Sequence, residues 1–373
     1  MTSLISLALL IFAVGLVGWL MWHSLINRQS LEDLQKLEQT EAQVQYCFLI
    51  FLSGFAGVSS ILFLLAHLGF FYRELVLLLA LLLLIFSGYR RFRGQRHLLY
   101  SWLSRRYTIF LLLLALLAVT LGLFARPYEA VVCSSDAPVY IGNAFHLART
   151  GNLKYADPLL RDMSLTERET LFENRFAKDK TGRFARFPGG VPLVDPSNGT
   201  VSFSFYHLFP VWLGLGVWTL GETGFLYVQS LFAAVGIIAL YLLGAHFGGK
   251  ILGICVVLVQ LFFFPQWYYS AFPLSELLAQ SLFLSGLWVV VSGLTAGSVI
   301  PVPYQRLAGV LWGAMFLCRI DAILFVPLAL VVIFAGVPKL RKDWFCWQPL
   351  FFCSVCLLFF LPTINLPRGH TPN

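Results

Sequence analysis

LFAAVGIIALYLLGAHFGGKILGICVVLVQLFFF, residues 231–264, decides the fold. It belongs to two apolar runs, 224–246 and 250–270, that meet at Gly248 and Gly249. Each is about 20 residues long, enough for an α-helix to cross roughly 30 Å of hydrocarbon at 1.5 Å per residue. Unpaired backbone polar groups are too costly in lipid, so such runs are expected to be helices. The two glycines then make a tight turn between one span and the next.

The pattern recurs along the chain. Of 373 residues 58% are hydrophobic, only 12% are charged and 35 are Phe, more apolar surface than a water-soluble fold can cover. The runs expected to span are 4–22, 47–68, 74–89, 108–125, 224–246, 250–270, 276–296, 306–318, 321–337 and 349–366, ten in all. The first has no basic residue before it and exceeds a secretory h-region, so it is expected to remain as a span with Trp19 and Trp22 at its interfacial end. A further run, Tyr206 to Gly221, is ambiguous.

Charge gives the sides. Arg90, Arg91, Arg93, Arg96, Arg105 and Arg106 mark residues 90–107 as cytoplasmic, so residues from 126 onward emerge on the far face. If 206–221 lies along the membrane surface, Lys250, Arg306, Lys339, Arg341 and Lys342 also fall inside. Thirteen Lys or Arg then lie inside against three outside, leaving aside the long polar segment, which favours an interfacial helix there. The formal charge of +8 sits in short clusters between apolar runs, so it orients the protein and does not indicate a nucleic-acid partner. Most of the seven Cys fall in apolar runs, Cys353 and Cys356 among them, and only Cys133 lies in the polar segment. Neither a disulfide framework nor a zinc site is indicated.

The expected architecture is therefore an all-α polytopic membrane bundle of about ten spans. Residues 1–107 form a three-span segment with a basic cytoplasmic loop, 108–337 a transmembrane module that includes an extracytoplasmic loop at 126–223, and 338–373 a basic loop, last span and tail. Between Arg126 and Phe205 that loop has ten basic and nine acidic residues, a mixed charge compatible with translocation. Asp157 to Lys180 reads as short polar helix with Ser164 or Thr166 as caps, and FPGG (187–190) and DPSNG (195–199) as turns. No period of 20 to 50 residues appears, so a transporter built on inverted repeats is not supported.

Four places could carry chemistry. SSDAPVYIGNAFHLARTGNL, residues 134–153, puts Asp136 at the bilayer surface ahead of a helical pattern through Tyr140; the plain alternative is that Asp136 caps that helix. Glu276 stands at the outer mouth of a span, where an acid faces a cavity or partner, or is simply wet. Arg319 and Asp321 interrupt two apolar runs at the same outer surface, as an internal ion pair or with Arg319 offered to a phosphate. His207, in YHLFP, lies where the polar segment meets the membrane, a common place for an interfacial anchor. The sequon at Asn198 to Thr200 matters only where that side of the membrane is glycosylated.

Taken together and in this order, these blocks resemble the GT-C superfamily of polyprenyl-phosphate-sugar-dependent glycosyltransferases, the group of the protein O-mannosyltransferases and the lipid A aminoarabinose transferase. The resemblance covers roughly Leu112 to Pro327. It implies Asp136 as the first-loop acid, Tyr206 to Pro210 as a degenerate "HPP" stretch, Glu276 as the later outer-loop acid and Arg319 as the following basic residue. Asp136 is followed by Ala137 where the family often has a second acid, three spans precede it where one is common, and many relatives continue past the tenth span. The implied reaction moves a sugar from a polyprenyl-phosphate donor to a hydroxyl of a glycan, lipid or protein acceptor on the extracytoplasmic side. Asp136 would be the base, Arg319 the phosphate stabiliser, and Glu276, His207, Tyr140 and Asp321 would contact substrate. No cofactor is implied; a divalent metal would be compatible with such chemistry but is not indicated. The rival classes are a lipid or oligosaccharide translocase and an inactive fragment.

Overall fold

The chain doubles back at Gly248 and Gly249 in the computed structural model, which describes residues 40–76, 136–164, 205–295 and 301–325, with shorter pieces within 14–18, 78–85, 122–124, 166–167 and 186–203. Its helices are α1 (Thr40–Leu68), α2 (Ala137–Thr150), α3 (Pro158–Asp162), α4 (Leu208–Leu220), α5 (Val228–Phe262), α6 (Phe264–Ala271), α7 (Glu276–Thr295) and α8 (Val302–Phe316). Short 3-10 helices occupy Glu222–Tyr227 and Ile320–Phe325. Among the described residues three helical stretches are long and apolar enough to cross a membrane: Val44–Leu68, Glu222–Phe262 and Glu276–Leu294. By length and composition the chain is a membrane protein.

The middle stretch is two antiparallel helices. Gly248 (φ −146°, ψ 25°) and Gly249 (φ 72°, ψ −178°) leave helical geometry, and Gly249 needs the left-handed region that only glycine enters freely. Twelve residues of straight helix would separate Tyr241 from Gly253 by about 18 Å. Instead a Cβ built on Gly253 would stand 2.9 Å from the Tyr241 carbonyl oxygen, so the two arms touch. The turn expected from the paired glycines is thus present, and it needs small residues at Gly244 and Gly253 as well. The returning arm stops short of 270: Phe263 is extended, Pro265 starts α6, and α6 ends at Ala271.

A second close crossing joins the N-terminal run to α1. Val14, Gly15, Val17 and Gly18 are helical. A Cβ on Gly18 would collide with the Ile50 carbonyl and one on Gly54 with that of Val14, so the helices meet backbone to backbone. The other residues of 4–22, the loop 90–107, most of 108–125 and everything after Phe325, including most of the span expected at 321–337 and all of that at 349–366, lie outside the described residues.

One expectation, that of an all-α chain, is corrected. The polar segment is not all helical: β1 (Lys154–Ala156), β2 (Arg186–Phe187), β3 (Val191–Asp195) and β4 (Thr200–Ser202) form an antiparallel sheet in the order β1-β4-β3-β2. Of the polar helix expected at 157–180 the described residues include α3, whose first turn is capped by the Asp157 carboxylate accepting from Leu159 N at 2.8 Å, while residues 168–180 lie outside them. Ser164 does act as a cap, its N–H and hydroxyl both donating to Glu167 Oε2. The run at 206–221 forms the helix α4. α4 buries every residue from Leu208 to Gly216, packed on α2 and α1. Trp212 fixes it by donating to Ser59 Oγ (3.0 Å) and stacking on Phe55 (4.9 Å between centroids), and Trp218 by donating to the Ala148 carbonyl (2.9 Å).

These contacts bring several helix ends to one level. The end of α1 meets the start of α4 through His67 and His207, and Leu208 N donates to Leu317 O beyond α8 at 3.1 Å. Gln229, at the start of α5, donates to the carbonyls of Phe272 and Leu274 just before α7. The glycine turn, 19 residues further along α5, is therefore about 28 Å away at the opposite end.

Candidate functional site

The residues gathered at that level come from four separate stretches. Arg319 follows α8, and its guanidinium is held on two sides. Its Nε and Nη2 donate to Asp321 Oδ1 and Oδ2 at 2.7 and 2.9 Å, the two-point fork that guanidinium and carboxylate form best. Its Nη1 pairs with Glu276 Oε1 at 2.5 Å and donates to Ser275 Oγ at 3.4 Å. The Asp321 hydrogen bond is the largest influence on Arg319 and raises its pKa further, so it carries a permanent charge. Two carboxylates face one guanidinium, leaving the group net negative.

Glu276 opens the first turn of α7, where a carboxylate suits the helix dipole. Only Oε1 is paired; Oε2 is sealed from solvent with no hydrogen-bond partner. Such an oxygen costs about 1–3 kcal/mol relative to a satisfied one, which makes it available to any donor that arrives.

Ser275 is the hub of this cluster. Its Oγ accepts from Arg319 and lies 3.0 Å from Tyr140 Oη, while its carbonyl receives the Cys318 thiol at 3.5 Å. Tyr140 is thereby tied to α7 across 135 residues of sequence. Its ring stacks on Phe205 (4.8 Å) and meets Phe209 edge-on (5.0 Å), and burial raises its phenol pKa in spite of Ser275. Tyr140 is a neutral donor or acceptor here.

Asp136 stands one helical turn, about 5.4 Å along the axis, before Tyr140. It occupies the N-cap position of α2, but its side chain makes no capping hydrogen bond, so the capping alternative is not what this carboxylate does. Its backbone carbonyl accepts from Val139 and Tyr140, and the residue is exposed.

His207 pairs with a second histidine. Its Nδ1 lies 3.2 Å from His67 Nε2, and His67 Nδ1 lies 2.9 Å from the Phe63 carbonyl. A carbonyl only accepts, so the neutral pair has one arrangement: His67 donates through Nδ1, its Nε2 accepts from His207 Nδ1–H, and His207 Nε2 keeps a lone pair. That Nε2 is buried without a partner. Burial, and next the neighbouring His67, push the His207 pKa down to about 3, against an opposing contribution from the Phe203 backbone. His67 was missed because it closes an apolar run and looks like part of a span.

Thus Tyr140, Glu276, Arg319 and Asp321 share one network through Ser275, Asp136 precedes it on the same helix as Tyr140, and His207 sits on the adjoining α1–α4 contact. Among the described residues no group of three or more His, Cys, Asp or Glu is arranged to hold a metal ion. Comparison with known proteins finds no matching family model, no matching curated protein and no matching solved structure.

Proposed function

We propose that this chain is a multi-pass membrane glycosyltransferase that moves a sugar from a polyprenyl-phosphate donor to an acceptor hydroxyl on the extracytoplasmic face, with the polar segment 126–223 lying on that face. The observation that carries the reading is a linked cluster at one end of the helices, in which Tyr140 and Arg319 meet on Ser275 while Glu276 and Asp321 meet on Arg319. A path through the membrane would place such charges near the middle of helices, whereas Glu276, Arg319 and Asp321 lie at helix ends, so the arrangement favours surface chemistry over a translocase. The order of the blocks resembles the GT-C superfamily, which supplies the reaction class.

In this proposal the acceptor oxygen attacks the anomeric carbon as the bond from that carbon to the phosphate oxygen breaks. The hydroxyl proton passes to the Asp136 carboxylate, and the electron pair of the broken bond leaves on the polyprenyl phosphate. A positioned base contributes about 10² to 10⁴ in rate, and Arg319 supplies fixed positive charge for the departing phosphate. Inversion at the anomeric carbon follows from a single displacement. Glu276 Oε2, Tyr140 Oη and His207 Nε2 are the groups with capacity to orient sugar or acceptor hydroxyls.

The test is to purify the protein with its lipids, identify any copurifying lipid-linked sugar by mass, and assay transfer from that donor. Asp136→Asn should lower transfer by at least about 10² with donor still bound. Full transfer by Asp136→Asn would remove Asp136 from this role, and absence of any phosphorylated polyprenol together with absence of transfer would reject the reaction.

A further inference from the structure

We infer that Asp321 is a displaceable internal occupant of the Arg319 phosphate seat: the donor phosphate takes over the Nε and Nη2 edge of Arg319 when Asp321 swings away. The inference rests on the proposed donor and goes further, by naming what must vacate the site.

The two carboxylates on Arg319 are unequal. Glu276 is 29% exposed, begins a long packed helix and has one oxygen sealed. Asp321 is 48% exposed and belongs to the short 3-10 helix Ile320–Phe325. Exposed ion pairs are held weakly and exchange readily, so Asp321 is the one that can leave. The edge it covers is also the valuable one. A guanidinium presents Nε–H and Nη2–H in parallel, and a phosphate fits that pair of donors as a carboxylate does. Asp321 therefore holds Arg319 in the shape a phosphate needs.

Charge requires the exchange. With Asp321 and Glu276 both on Arg319 the group is net negative and repels an incoming phosphate; with Asp321 gone, Arg319 and Glu276 balance and the phosphate replaces like with like. The surroundings suit a phosphate that carries a hydrocarbon chain. Ile320 (66%), Ile323 (63%) and Leu324 (74%) are exposed on the same 3-10 helix as Asp321, so an apolar surface begins beside the phosphate seat.

The experiment uses the full chain in lipid nanodiscs and follows binding of a short polyprenyl phosphate by calorimetry, with inorganic phosphate as a second arm and anionic phospholipid in the nanodisc as a third. Asp321→Asn is expected to tighten polyprenyl phosphate binding roughly fivefold, the effect of removing one unit charge at contact range in a wet site. Arg319→Gln should abolish binding with or without Asp321→Asn. Asp321→Ser gives the same comparison should the Asn variant fold poorly, since Glu276 still holds Arg319 in both. Unchanged or weaker binding by both Asp321 variants, with Arg319→Gln still defective, overturns the displacement and leaves the donor reading standing. Equal tightening for inorganic phosphate, or competition by anionic phospholipid alone, overturns a seat specific for a polyprenyl phosphate. No binding by any protein overturns both the inference and the donor.

Discussion

The substitution His207→Asn separates the hydrogen bond in the histidine pair from its titration. The asparagine amide can still donate an N–H toward His67 Nε2, but it takes up no proton at any pH used. In the native protein the folded pKa of His207 is about 3 against an unfolded 6.5. A lowered histidine pKa means that the unfolded chain binds more protons between those values. Stability is therefore complete above about 6.5 and is lost as pH falls through the window toward 3. Between pH 7.5 and 5.0 the linkage relation gives a loss of about 2 kcal/mol from this one group. For a chain of 373 residues that is a drop of about 2–3 °C in unfolding midpoint. The assay is thermal unfolding in detergent at pH 7.5, 6.5, 5.5 and 5.0, followed by intrinsic fluorescence. This range covers the part of the His207 window above pH 5, and Arg319 stays charged throughout it. The midpoint of His207→Asn should fall markedly less over this range than that of the native protein. Parallel curves for the two proteins would refute the buried, neutral assignment of His207.

Other consequences are equally direct. Gly54→Leu forces a side chain into the Val14 carbonyl, and should cost about 1–3 kcal/mol in thermal stability or release the N-terminal helix, which loss of a disulfide engineered between that helix and α1 would register. Gly253→Val should similarly splay the two arms of α5 and lower the yield of folded protein in detergent, whereas Cys255→Val, at an exposed position two residues on, should not. Trp212→Phe deletes the donor to buried Ser59 and should destabilise by about 1–2 kcal/mol in the same unfolding assay. A reporter fused after Gly248 should read out as cytoplasmic while one inserted near Gly199 reads out on the opposite side; both on one side would reject the proposed topology.

What could be read in the sequence was local or one-sided. The α5 turn was legible because paired glycines between two apolar runs have few other uses, and the Ser164 cap because a serine ahead of a polar helical stretch is an ordinary start signal, although its partner Glu167 was not read. The meeting of Glu276 with Arg319 was legible in outline, since charge counting put both at one surface. The histidine pair was not, because His67 and His207 are 140 residues apart and each looks ordinary alone. The burial of α4 had a signal that went unused: LFPVWLGLGVWTL has no polar face, whereas a helix lying on a membrane needs one. The sheet escaped because its strands are two to five residues long and sit in a stretch of mixed polarity. Ser275 became a hub only through partners brought from elsewhere in the chain.

The Glu276–Arg319 pair also sets an order of events during synthesis. Glu276 is made 43 residues before Arg319, so α7 must enter the membrane with its mouth carboxylate unmatched until the ribosome has delivered α8 and the turn beyond it. Until then the half-made chain carries a polar group that a neighbouring helix, a water-filled translocation channel or a chaperone must tolerate. Arrest of translation before Arg319 has emerged from the ribosome should thus leave α7 loosely held, and arrest after it has emerged should find α7 locked, in which case the guanidinium times assembly as well as supplying charge.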